Sequence, residues 1–152
     1  MAHRAEQIVD AIAALVRARV QTTGVHVYTH RRLSLDPDQD EMPAISVDYG
    51  EDSRAESQTT LMIDSVLSVE CTAVVSEPDE FDCRKRLLDL RAEIHRAVMT
   101  DRQLGLPVFV VNTSYGGASA PSLFAEGKNI VGELTSTWLV HYRMELDDPG
   151  ND

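Results

Sequence analysis

The sequence predicts an α+β domain, with two helices packed on one face of a mostly antiparallel sheet. Three observations predict it. Two segments, residues 4–20 and 80–100, repeat apolar side chains at helical spacing. Several others alternate apolar and polar residues, the period of a strand with one packed and one wet face. The length of 152 residues suits one domain, which buries enough surface to fold without a metal or disulfide.

The first helix is expected over residues 4–20. Ile8, Ile12, Leu15 and Val16 form its stripe, with Val9 beside them, and Arg4, Glu6, Gln7, Asp10, Arg17 and Arg19 mark its wet side. Gly24 stops it, and a short strand over 25–29 follows. Residues 31–42, with Pro37 and four acids, read as a long polar loop of the kind that carries function. Pro43 opens a second strand over 44–49, with Ile45, Val47 and Tyr49 on one face. Residues 50–53 read as a turn and 51–60 as a polar hairpin tip.

A long third strand spans 61–75, with Ile63, Leu67, Val69, Cys71, Ala73 and Val75 on the packed face. Pro78 breaks it. The second helix spans 80–100; Phe81, Leu87, Leu88, Ile94 and Val98 are expected to be buried, with Arg91 and His95 at the edge of the stripe. Asp79 and Glu80 suit the positive end of its dipole. Asp89 and Glu93 are expected to pair with Lys85, Arg86 or Arg96. A fourth strand is expected from Val108 towards Tyr115, a flexible loop over 116–127, and a last strand over 129–145 with Trp138 facing the helices. The expected order is α-β-β-β-α-β-β in one domain, 1–146, with an acidic frayed tail at 147–152.

Charge narrows the function. Twenty-five acids against 14 Lys and Arg leave a net charge of −11, and Lys85 and Lys128 are the only lysines. Such a surface repels duplex DNA, so a DNA-gripping module is excluded. No apolar run is long enough to span a membrane, and MAHRAEQIVD lacks the apolar core of a signal peptide, so the chain is expected to start in a cytoplasm. Cys71 and Cys83 are expected to be free thiols in a reducing compartment.

Catalytic motifs are missing. His3, His26, His30, His95 and His141 show no zinc spacing, and no serine sits in a GxSxG elbow. Gly116-Gly117 lacks the rest of a phosphate loop. Asp36, Asp38 and Asp40 alternate, but the glycine and distal glutamate of a calcium loop are absent. Aromatics, at 5%, are too sparse for a nucleic-acid stacking platform. Neither an enzyme nor a cofactor is expected; a small hydrolase or isomerase using His26, His30 or His141 is the main alternative from another class, and a host-side regulatory binding module is a third.

Several segments in order carry a resemblance: Thr23-Gly24-Val25-His26-Val27-Tyr28, Met42-Pro43-Ala44-Ile45-Ser46-Val47-Asp48-Tyr49, Leu67-Ser68-Val69-Glu70, Leu87-Leu88-Asp89-Leu90-Arg91-Ala92-Glu93-Ile94-His95, and Trp138-Leu139-Val140-His141-Tyr142-Arg143. Over nearly its whole length the chain resembles the tail terminator proteins of long, flexible-tailed bacteriophages. The resemblance implies a non-enzymatic subunit, monomeric or weakly oligomeric in solution, that closes into a hexameric ring on the tail tip and ends growth of the tail tube. The ring's other side would receive head-completion or connector proteins, and DNA would pass through without specific binding. It also implies residence in the virion tail, after assembly in the host cytoplasm. A different neck component, such as a head–tail connector or tail-completion subunit, is the alternative within the same class. Loops that order against neighbours would supply the ring and tube contacts. The candidates are Arg31, Arg32, Asp36, Asp38, Asp40 and Glu41, then Glu51, Asp52 and Arg54, then Tyr115, Ser119 and Phe124.

Overall fold

The computed structural model describes residues 3–21, 24–29, 42–54 and 62–145. Helix α1 (Arg4–Arg19) starts where His3 Nδ1 accepts the Ala5 N–H at 3.0 Å, satisfying one of the unpaired donors of the first turn. Helix α2 (Glu80–Val98) is capped by Asp79, whose carboxylate accepts the Phe81 N–H at 2.8 Å. The strands are β1 (His26–Thr29), β2 (Ala44–Arg54), β3 (Met62–Glu77), β4 (Val110–Ala118), β5 (Ser122–Glu126) and β6 (Asn129–Glu145).

The predicted class is the observed one: an α+β domain with both helices on a mostly antiparallel sheet, in the order α-β-β-β-α-β-β-β. The sheet runs β1-β2-β3-β6-β4, with β5 also on β6. Among the described strands only β1 and β2 are parallel. The centre is the β3–β6 pair, in unbroken register from Met62 opposite Glu145 to Glu77 opposite Ile130. On the other side of β6, β5 covers its first half and β4 its second.

One core lies between helices and sheet. Ile8, Ile12 and Val16 of α1 meet Leu87, Leu90 and Ile94 of α2 over Leu67, Val69, Cys71, Leu134, Trp138 and Val140. Trp138 is fully buried on the helix side, as expected. Gly132 lets α2 settle close, because a Cβ there would lie 2.7 Å from Cys83 Sγ and from Leu123 Cδ2.

Several expectations are corrected. The turn placed at 50–53 is strand: β2 continues to Arg54 through a register shift between Tyr49 and Asp52. Tyr49, the last residue in regular register before that irregularity, is 47% exposed instead of packed with Ile45 and Val47. The loop expected over 116–127 contains the end of β4 and the added strand β5. Leu123 faces Leu87 and Cys83 across Gly132, while Gly127, at φ +62°, leads a two-residue turn into β6. The fourth strand begins at Val110, leaving Val108 exposed. Phe81 and Leu88 face outward, because α2 is rotated to bury Cys83, Leu90 and Ala97 with Leu87, Ile94 and Val98. Arg4 is buried: it donates to the Arg143 carbonyl, and its guanidinium lies 4.9 Å from the Phe109 ring centre. Among the described residues α2 makes the ion pairs Arg84–Glu80 at 3.3 Å and Arg86–Glu77 at 3.0 Å, so Arg86 is held from β3 and not by the expected Asp89.

Candidate functional site

The antiparallel register sorts the side chains of the sheet into two faces. One is the core. The other carries Ser46 and Asp48 of β2, Ser68, Glu70 and Thr72 of β3, and Glu133, Thr135, Thr137 and Leu139 of β6. No described helix covers this face, which is accessible around Asp48 and Glu70 and closed over Ala44, Val74 and Val131 at its other end. Thr72 and Thr135 share a hydrogen bond at 2.9 Å across it. Asp48 stands directly opposite Glu70, and neither makes an ion pair among the described residues. Like charges in that position weaken a strand pair.

The candidate residues named from sequence fall unevenly on this frame. Arg31, Arg32, Asp36, Asp38, Asp40 and Glu41 lie outside the described residues. Glu51, Asp52 and Arg54 belong to the end of β2. Glu51 is exposed, while Asp52 accepts a 2.6 Å hydrogen bond from the buried Tyr142 hydroxyl. Tyr142's pKa is raised, first by burial and then by that carboxylate. Ser119 follows β4, where its Oγ accepts the Thr135 N–H at 3.1 Å. Phe124 is 46% exposed on β5.

Tyr115 is the candidate with the richest surroundings. Its ring lies 5.1 Å from Trp138 and 5.4 Å from His95, and His95 lies 5.2 Å from Trp138. Arg91 donates to its hydroxyl at 2.7 Å. Tyr115 thus ties the edge strand β4 to α2 instead of standing free in a loop. The sequence placed Arg91 and His95 at the stripe's edge, and the missing signal was the β4–β6 register that sets Tyr115 against Trp138.

A second polar group lies on β3 and β6. Asp64, nearly buried, accepts from Arg143 Nε at 2.9 Å. His141 Nε2 is 3.9 Å from the other Asp64 oxygen, too far for a hydrogen bond, and it has no hydrogen-bond partner. The arrangement holds strand ends together and presents no nucleophile. Cys71 is fully buried, and burial pushes its thiol up to about 12. Cys83 is raised for the same reason, with Glu77 adding to it. Both thiols stay neutral and unreactive near neutral pH.

No group of three or more potential metal ligands occurs among the described residues. The outward side of α2 is the other conspicuous surface: Phe81 is 73% exposed and Leu88 45%. Beside Leu88 lies an open depression of about 330 Å³, lined also by Arg91, Ala92, His95 and Arg96. Compared with known proteins, the chain matches no family model and no curated sequence.

Proposed function

We infer that this chain is an assembly subunit that forms a ring on the end of a bacteriophage tail tube, stops its growth and offers a surface for head joining. The carrying observation is apolar surface left in water on both layers of a small domain. Phe81 and Leu88 project from the helix layer, Phe124 and Leu139 from the sheet layer, and Val108 from the turn that leads into β4. A subunit with contact surfaces on two sides suits head-to-tail association, the geometry from which rings are built. The α+β architecture agrees with the resemblance drawn from the sequence, and that resemblance supplies the tail-specific part. Its partners would be further copies of itself, the tail tube protein and the head-completion proteins. A net charge of −11 suits a ring through which DNA slides without adhering.

The test is tube polymerisation. Purified tail tube protein is allowed to polymerise with and without this chain, and the products are viewed by negative-stain electron microscopy. Short tubes ending in rings are expected with it. Tubes of unchanged length and bare ends would overturn the reading.

A further inference from the structure

We propose that the outward face of α2 docks on the open sheet face of a second copy of this chain, around the Asp48–Glu70 pair. This rests on the assembly reading above and names the surfaces that carry it.

The helix side is apolar with a cationic border. At 3.6 residues per turn, Phe81, Leu88 and Ala92 fall along the centre of the outward face of α2. Lys85 and Arg96 fall on one flank, with the exposed Asp89 and Asp82 beyond them, and Arg84, Arg91 and His95 fall on the other, so Lys and Arg outnumber acids four to two around this face. The helix holds five Lys and Arg against four Asp and Glu, a net of +1 in a chain of net −11. It holds five of the chain's 14 Lys and Arg and carries no share of the net negative charge.

The sheet side is its complement. Asp48 and Glu70 repel one another across β2 and β3, and Glu133 adds a further acid on β6. Thr137 stands opposite Glu70, and Leu139, 37% exposed, gives the same face an apolar side chain. A cation brought between Asp48 and Glu70 would relieve a repulsion that the isolated subunit leaves standing. Lys85 and Arg96 make no ion pair among the described residues, so they are the side chains to supply it.

The two surfaces face opposite ways, one outside the helix layer and one outside the sheet layer. Each copy would use its helix side for one neighbour and its sheet side for the other. Such a heterologous contact propagates and closes into a ring when the rotation allows.

Sedimentation velocity of the full chain tests this with two charge-reversed proteins, one carrying Asp48→Lys and Glu70→Lys, the other Lys85→Glu and Arg96→Glu. All four positions lie outside the buried core, and thermal unfolding confirms that each protein folds. Each alone is expected to self-associate about tenfold or more weakly than wild type, because like charges then meet. An equimolar mixture is expected to recover heterotypic association, the outcome specific to these two surfaces meeting. If wild type assembles and both reversed proteins assemble equally well, this interface is wrong and the ring reading stands. If both lose association and the mixture does not recover it, the pairing of these two faces is refuted. A wild-type chain that stays monomeric across a salt and Mg²⁺ series would overturn this interface, while the ring reading is decided separately by the tube polymerisation assay.

Discussion

Gly132 is where β6 passes beneath α2, and a single methyl group there has nowhere to go. Its Cβ would meet Cys83 Sγ and Leu123 Cδ2 at 2.7 Å and Leu87 Cδ1 at 2.8 Å. Gly132→Ala should therefore cost ~1–3 kcal/mol by overpacking, read as a lower urea midpoint at unchanged slope. Trp138 works the other way: it fills the core under His95 and Tyr115, so Trp138→Ala should cost ~3–5 kcal/mol through the cavity it leaves. Cys71 and Tyr142 set the response to alkali. Both are neutral when protonated, and both have raised pKa values in the fold. Their contribution is complete below the ordinary values, 9.0 and 10.0, and is lost as pH rises beyond them, because the unfolded chain then releases protons that the folded chain keeps. Stability should fall above those values by up to ~1.4 kcal/mol per pH unit per group. Urea titrations in steps from neutral to alkaline pH check this, and Tyr142→Phe should remove the steeper part of the decline.

At the scale of the element, α2 shows how a capped helix can be found from sequence while its rotation is not. Asp79 ends β3's connection and opens α2 through the Phe81 N–H. Asp79→Ala should cost about 1 kcal/mol, measured by chemical unfolding; an unchanged midpoint would mean that the cap is replaced by water. The apolar spacing of α2 admits more than one buried arc, since Phe81 and Leu88 read as well as Cys83 and Leu90. Packing over Gly132 selects the second arc. β5 teaches the same lesson for strands: five residues that follow a small-residue stretch read as loop until β6 supplies the partner that satisfies their backbone.

For the whole molecule, charge and contact pull in opposite directions. Six copies at −11 would gather about −66 before counterions, yet the proposed contact pairs α2 cations with sheet acids. The repulsion acts over distance and the pairing at close range. Added salt shortens the screening length from about 30 Å at 0.01 M to about 10 Å at 0.1 M and about 3 Å at 1 M. Self-association should therefore rise between the first two conditions and fall again towards the third. Sedimentation velocity across that series reads it directly. Association that is strongest at the lowest salt would contradict this balance, as would tight binding of duplex DNA at 0.1 M salt.

The sequence by itself determined the class of the fold, the two helices and the long strands β3 and β6, because periodicity records which side of an element meets water. It also determined the acidity and the burial of Trp138, since both follow from local pattern and composition. It could not determine the strand order, the extra strand β5, the inward turn of Arg4 or the outward turn of Phe81. These depend on partners distant in the chain: Arg4 meets Arg143 and Phe109, and β5 exists because β6 runs beside it. The candidate surfaces divide the same way. Glu51 and Phe124 were legible as exposed positions, whereas the opposition of Asp48 to Glu70 and the clustering of Tyr115 with His95 and Trp138 were decided by tertiary register. A one-dimensional pattern carries the preference of a residue for water or core, and only the packed sheet decides which residues face one another.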